Sequence, residues 1–430
     1  MRKIAFFGIT GHTRYTYADT MHHSDAMPRS SGTGITNVLE LYEETGNKGN
    51  MLHGEAPTRI FQMDRSGSCY VSAKSLIVDL AWSTDQVAAE LSKKFDLVVF
   101  STANMIRPDF DPGGTAAILE ALSIEFVVLG MGMQSPLPAS TDSLHPGLIA
   151  LLDVCNKKAN VFGVRGFATE KWLKSVGFDN AKALGCPSLY VYPQNILNIQ
   201  APDPHIIKSA LTGGYISART PRSQAIINLF KDANAHYVMQ DEIDALSSLT
   251  ELNEAPYLYN DASGELNKDL MESMLEKIHY KAMPFTSYRW FQDPNAWRLF
   301  ASQCDVFIGD RLHGGVAALQ SGVPAILISE DQRVTEVATF NGIPTVSTEE
   351  IKGMPLADVV DKHLSAENIQ YFKETYFNRF QNFQDTFKNM DITLTVSAIA
   401  PEKLSHAPKK PRSPMQTRMN IMQQILKKLT

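Results

Sequence analysis

The chain has 430 residues, of which 44% are hydrophobic and 20% charged, with a net charge of −6. That length allows two or three domains with buried cores. The acidic balance argues against a dedicated nucleic-acid binder, which usually carries a basic excess, and no apolar run reaches the ~18 residues of a transmembrane helix candidate.

The N-terminus, MRKIAFFGITGHTR, has a basic start and a short apolar run. It lacks a full hydrophobic region and a small-residue cleavage site, so it reads as a first strand, Ile4–Ile9, and not as a signal peptide. Residues 10–34 are polar and read as a long loop. Short apolar runs at Leu97–Ser101, Phe126–Leu129 and Val161–Val164 have strand character, with helical stretches at Met51–Gln62, Thr84–Lys94, Gly147–Cys155 and Ala168–Ser175. Periodicity fades around 192–210, where prolines cluster, which suggests a linker.

A second alternating half follows. Strands are expected at Tyr215–Ser217 and Tyr237–Gln240, and helices at Gln224–Asp232, Ile243–Leu252, Leu266–Lys281 and Pro294–Cys304. Then comes the most informative stretch, Asp305–Pro344. A strand, Val306–Gly309, runs into Arg311-Leu312-His313 and a helix; a second strand, Pro324–Ile328, ends at Glu330-Asp331-Gln332-Arg333 and a shorter helix that stops at Asn341-Gly342. Ligands in parallel sheets bind outside the carboxyl ends of the strands. A helix N-terminus with an Arg and a His beside it is a prepared anion site.

Residues 366–387 form one helix with Ile369, Phe372, Tyr376, Phe380, Phe383 and Phe387 on a single stripe, expected to pack back across the domains. Residues 397–430 hold seven Lys/Arg and one acidic residue, a net of +6 against −6 for the whole chain, so the rest carries −12. Pro401, Pro408, Pro411 and Pro414 make the first part a linker. Met415, Met419, Met422, Leu426 and Leu429 then share one face of a terminal helix. That helix docks on a neighbouring subunit or the chain's own acidic body, or touches an anionic membrane surface. The four scattered cysteines fit a reducing, cytoplasmic setting, and a peripheral position at the inner membrane face is the variant that the tail allows.

The Arg311–His313 stretch, with Gly322-Val323-Pro324 and the Asp331–Arg333 loop after it, resembles the polysaccharide pyruvyl transferase family. Gly46-Asn47-Lys48-Gly49-Asn50 is similar to that family's Gly-Asn-x-Gly-Asp turn, with Asn50 in place of the Asp. Leu129–Ser135 is similar to its Gly-x-Gly-x-Gln segment, and Val164-Arg165-Gly166 with Gly185-Cys186-Pro187-Ser188 to its Val-Arg-Asp and Cys-Pro pair, with Gly166 where an Asp is usual. The resemblance covers roughly 44–345 and implies two Rossmann-like domains facing a cleft, the GT-B-like architecture. The expected organisation is an N-terminal domain over 1–195, a C-terminal domain over 205–360, a crossing helix over 361–395 and the tail over 396–430. The implied reaction moves a pyruvyl group from phosphoenolpyruvate to two hydroxyls of a glycan or lipid-linked sugar, with no cofactor and no metal. His22-His23 lacks partner ligands at useful spacing.

A donor with up to three negative charges needs several cations in a dry pocket, and the proton transfers need a histidine near neutral pKa. By resemblance Arg311 grips the donor's carboxylate or phosphate and His313 binds phosphate or acts as general acid. The plainer reading pairs Arg311 with Asp310 or Asp305 and makes His313 a helix cap. Arg165 ends a strand in the other half and approaches from the opposite side; Arg219 and Arg222 follow the Tyr215–Ser217 run. Asn47 and Gly49 form a turn whose N–H groups face donor or acceptor, and Gln134 lines the cleft after Gly130 and Gly132. Asp331 or Glu336 takes a proton from the sugar, or Glu336 pairs with Arg333 three residues before it. The competing readings are a glycosyltransferase with a nucleotide-sugar donor and a non-catalytic glycan-binding relative.

Overall fold

A computed structural model describes residues 1–8, 47–71, 76–77, 81–242, 259–260, 263–388, 390 and 392–395. In chain order the first half runs β1 (Ile4–Gly8), α1 (Gly49–Ile60), β2 (Cys69–Val71), α2 (Thr84–Lys94), β3 (Leu97–Ser101), α3 (Thr115–Ala121), β4 (Glu125–Met131), α4 (Pro146–Lys158), β5 (Val161–Val164), α5 (Phe167–Ser175), β6 (Ala181–Ala183) and α6 (Pro193–Leu197). The second half runs β7 (Ala210–Thr212), α7 (Pro221–Leu229), β8 (Ala235–Val238), β9 (Tyr259–Asn260), β10 (Glu265–Leu266), α8 (Lys268–His279), β11 (Phe285–Arg289), α9 (Pro294–Ala301), β12 (Val306–Gly309), α10 (Leu312–Gln320), β13 (Ala325–Ile328), α11 (Gln332–Asn341), β14 (Thr345–Val346), α12 (Thr348–Ile351), α13 (Leu356–His363) and α14 (Ala366–Lys388). The expected loop 10–34, with His22 and His23, the helix Ile243–Leu252 and the tail 396–430 lie outside the described residues.

Two sheets result. The first has the order β2-β1-β3-β4-β5-β6, parallel throughout. The second has the order β14-β13-β12-β7-β8-β11-β10-β9, parallel except for the β10 and β9 edge. Strands buried on both faces need near-continuous apolar runs, and LVVFS in β3, VFIG in β12 and AILI in β13 supply them. The fold is therefore α/β with two Rossmann-like sheets, as the alternating pattern implied.

One strand is displaced from its expected place. Tyr215–Ser217 is not a strand; β7 is Ala210–Thr212, and Gly213-Gly214-Tyr215 is the loop at its end. Tyr215 and Ile216 look strand-like because they are large and apolar, yet Tyr215 is 42% exposed and Ile216 packs inward below the loop. A Cβ on Gly309 of β12 would lie 2.9 Å from the Gly213 nitrogen, so the two backbones approach closely here.

Helix α14 packs back on the first half of the chain. All six residues of the aromatic stripe are buried. Tyr190 of the N-terminal half packs tilted against Phe383 at 4.5 Å and Phe380 at 5.9 Å, and Phe387 meets Phe61 at 5.3 Å. The Tyr376 hydroxyl donates to the Leu189 carbonyl at 2.7 Å. Each buried ring contributes about 1.5–3 kcal/mol by leaving water. A second tie is α1, buried along most of its length. Its Glu55 pairs at 2.6 Å with Arg298 of α9, which is fully buried. No helix among the described residues is long and apolar enough to cross a membrane.

Candidate active site

Strand order in the second sheet reverses between β7 and β12, and such a switch point opens a crevice at the strands' carboxyl ends. There the chain delivers Gly213-Gly214 from β7, and Asp310, Arg311 and His313 from β12 and the start of α10. The first sheet delivers Ser101 from β3, Gly130 and Gly132 from the end of β4, and Arg165 from β5. Helix α1 brings in His53, one turn after Gly49 on the same face.

These groups meet. His53 is fully buried, with Nδ1 3.4 Å from the Cys186 sulfur and Nε2 3.1 Å from the Ser101 hydroxyl. The His53 and His313 rings lie edge to face, with centroids 6.1 Å apart. Gly130 sits at φ 74°, and a Cβ there would stand 2.6 Å from His53 Cε1. Burial, then the charge of Arg165, lowers the His53 pKa to about 3. Burial, then His53, Arg165 and Arg333, holds His313 well below its ordinary value. Both rings are neutral at pH 7, and His313 Nε2 is buried without a hydrogen-bond partner among the described residues.

Arg165 is 4% exposed, and among the described residues its guanidinium has neither a hydrogen bond nor an ion pair. Burial lowers its pKa, opposed by Cys186 and Glu336. A buried guanidinium without a hydrogen-bonded partner is costly, and an anion at this point of the cleft would supply one. The ligand-type atoms of His53, Cys186 and His313 also lie within 4.8 Å of one another, a cluster that residue spacing did not reveal. Arg165 acts on all three groups, and its field favours an anion over a cation here.

Arg311, expected to grip the donor, bonds within the chain to two carboxylates. Its Nε donates to Glu242 Oε1 at 2.8 Å, its Nη1 to Asp241 Oδ2 at 3.2 Å, and its Nη2 to both carboxylates. Its guanidinium lies 4.0 Å from the Tyr215 ring centroid. Neither Asp310 nor Asp305 is its partner: Asp310 holds Arg222 at 2.9 Å, and Asp305 accepts from the Lys208 and Ser209 amides at 2.7 and 2.9 Å. With every guanidinium nitrogen engaged, Arg311 fixes Asp241, which accepts from Asn47 Nδ2 at 3.2 Å. Asn47 Oδ1 in turn accepts from the Gly49 amide at 2.8 Å. A Cβ on Gly49 would lie 2.8 Å from His313 Nδ1, so this turn forms one wall of the histidine's pocket. Lys48, between them, is buried and donates to Gln292 Oε1 at 2.9 Å.

The remaining expected residues fall at different distances from this centre. Gln134 accepts from Asn104 Nδ2 at 2.5 Å on the loop after β4. Arg333 pairs with Asp331 at 2.9 Å, and Asp331 also caps α11 by accepting from the Val334 amide at 3.0 Å. Glu336 does not pair with Arg333. It is buried and accepts from the Thr169 amide at 2.6 Å and the Thr169 hydroxyl at 2.9 Å, across the cleft. Arg219 is exposed and lies over the Tyr280 ring, itself 77% exposed, outside the group around Arg165; Arg222 is the one that reaches the strand end. The sequence pattern quoted Cys186 only as part of a motif and missed His53, Ser101, Asp241 and Glu242. The available signals were His53 one helical turn after Gly49, and two acids directly behind a strand.

The chain is similar to several solved structures at low identity. The UDP-GlcNAc 2-epimerase of Methanocaldococcus jannaschii is 11% identical, with a TM-score of 0.43 over 89% of this chain and 100% of that one. The UDP-GlcNAc 2-epimerase of Neisseria meningitidis is 12% identical, with a TM-score of 0.45 over 90% and 100%. The α,α-trehalose 6-phosphate synthase of Burkholderia multivorans is 10% identical, with a TM-score of 0.44 over 91% and 95%. No curated protein matches the chain in sequence. The model of the polysaccharide pyruvyl transferase family matches residues 47–332, a span that begins at the Asn47 turn and ends just past Asp331. With two thirds of its length matched, including every strand end that builds the cleft, the chain belongs to the polysaccharide pyruvyl transferase family.

Proposed function

We propose that the protein transfers a pyruvyl group from phosphoenolpyruvate to two hydroxyls of a glycan or lipid-linked sugar, giving a cyclic ketal and phosphate. The observation that carries this reading is Arg165: a buried guanidinium with no hydrogen bond or ion pair among the described residues, opposite two neutral histidines at a sheet's switch point. A small polyanion supplies the missing charge and restores the histidines' basicity. Arg165 takes the donor's carboxylate or phosphate as a planar fork. His313, with its free Nε2, holds phosphate and delivers a proton. Arg333 adds positive charge from the next strand end, while Asn47 and Gly49 fix the histidine's position.

The chemistry balances without a cofactor. Two sugar O–H bonds, the donor's C–O bond to phosphate and the π component of its C=C bond break, and two C–O bonds form at the donor's central carbon. One proton ends on the methylene carbon, making a methyl group, and the other leaves with phosphate. Asp331, at the same rim, is the acid best placed to accept a sugar proton, since its partner Arg333 leaves it partly exposed.

The test is phosphate release from phosphoenolpyruvate in the presence of a panel of sugar acceptors. Release that needs an acceptor and disappears in Arg165→Met supports the assignment. No release, together with stabilisation by a nucleotide sugar, replaces it with the glycosyltransferase reading.

A further inference from the structure

Helix α5 starts directly after Arg165, and its N-cap position is Gly166, which has no side chain to cap it. The cap is instead supplied from the other domain. Glu336 of α11 accepts from the amide of Thr169, the third residue of α5, at 2.6 Å and from its hydroxyl at 2.9 Å. That is the bond an Asp or Ser at the N-cap would make within its own helix. Gly166 leaves the space for it: a Cβ there would run into Glu336 Cγ and lie 3.0 Å from Oε1. The Thr169 hydroxyl also accepts from the Met133 amide at 3.3 Å, next to Gly132 and hence beside Arg165.

A second contact holds the same two helices. The rings of Phe167 on α5 and Phe340 on α11 lie 5.0 Å apart. Arg379 of α14 covers both, at 4.9 and 4.8 Å, and donates to the Phe340 carbonyl at 2.9 Å. Helix α11 is thus seated on the N-terminal domain where Arg165 leaves its strand.

We propose that Glu336 is an interdomain positioning residue: it caps α5 in place of a side chain at Gly166 and so makes the placement of Arg165 depend on the C-terminal domain. Both carboxylate oxygens are committed to Thr169, so its task is to hold the helix and not to move a proton. The link between Arg165 and the donor rests on the pyruvyl-transfer reading; the cap itself does not.

Four variants of the full chain test this: Glu336→Ala, Glu336→Gln, Gly166→Asp, and Gly166→Asp combined with Glu336→Ala. Two readouts are taken: hydrogen exchange of the peptide covering 165–175, and calorimetric affinity for phosphoenolpyruvate and inorganic phosphate. Glu336→Ala should speed exchange at Thr169 and weaken both anions about tenfold, the scale of a lost cap. Glu336→Gln should resemble the parent, since its amide carbonyl still accepts from the Thr169 N–H. Gly166→Asp alone should loosen the helix, because two carboxylates then compete for one amide. The double variant should recover exchange protection and affinity together, with the cap now in its own helix. Unchanged exchange in Glu336→Ala overturns the proposal, as does a double variant that recovers neither readout. Loss of turnover in Glu336→Gln with exchange and affinity intact also overturns it, in favour of a proton-transferring carboxylate. If the parent binds neither anion, the pyruvyl-transfer reading falls, and exchange alone decides for or against the cap.

Discussion

Gly132 and Arg165 fit each other across two adjacent strands: a Cβ on Gly132 would lie 2.6 Å from Arg165 Cδ, closer than real side chains approach. The guanidinium can pass that point only because the residue is glycine. Gly132→Ala should therefore push Arg165 out of place. Phosphate affinity should fall at least tenfold by calorimetry, while the melting temperature shifts by only about 2–4 °C, because the displaced atoms belong to a flexible side chain. Unaltered phosphate binding in this variant would show that Arg165 is not the anion's anchor.

Removing Arg311 should be felt as instability before it is felt as lost binding. Its loss leaves Glu242 buried, with Asp241 beside it and no cation. Breaking a buried pair in this way costs about 3–5 kcal/mol. Arg311→Met should lower the urea midpoint accordingly, and adding Glu242→Gln should recover part of the loss by removing the stranded charge. A variant of normal stability that fails to bind the donor would return Arg311 to the direct contact expected from the sequence.

The two cleft histidines contribute to the pH dependence, with His236, His279 and His363, which burial also shifts down. Above the ordinary histidine value of 6.5 they are neutral both folded and unfolded, so stability is flat there. Below it the unfolded chain takes up protons that folded His53 refuses until about pH 3. Stability should then fall with acidification through that window, by at most ~1.4 kcal/mol per pH unit for each histidine. A bound dianion reverses the sign locally by favouring the charged rings. Sulfate, a dianion throughout, should bind more tightly as pH falls from about 8 to 6, with proton uptake visible as a buffer-dependent heat. His313→Gln should flatten that slope.

The architecture was legible because parallel strands buried on both faces must be written as apolar runs. β3, β5 and β12 stand where the sequence puts them, to the residue, and the α14 stripe emerges from three- and four-residue spacing. Weakly written strands escaped: β6 is Ala-Lys-Ala, and β11 carries Thr and Ser between its aromatics. The site was legible only in part, since its groups come from distant points of the chain. The sequence marks Arg311 as a cation but cannot show that Asp241 and Glu242, some seventy residues earlier, absorb it. Nor can it show that Glu336 reaches Thr169, 167 residues away, in preference to its helix neighbour Arg333. Gly166 looked like a missing acid; in three dimensions it is the opening through which another acid arrives.

The aromatic stripe of α14 makes the last prediction. Phe383 is 1% exposed, with its ring tilted against Tyr190 at 4.5 Å and Phe387 at 5.0 Å. Truncating it opens a cavity between the C-terminal helix and the N-terminal domain, where Tyr190 is held by its own bond to the Leu184 carbonyl at 2.7 Å and cannot follow. Phe383→Ala should cost about 3–5 kcal/mol. Phe377, on the same helix but 39% exposed, serves as the control, and Phe377→Ala should stay within about 0.5 kcal/mol. Equal losses from the two would mean that α14 contributes through helix propensity and not through packing. The expected difference, read from chemical denaturation of the full chain, locates the stabilisation at the seam between α14 and the first half of the chain.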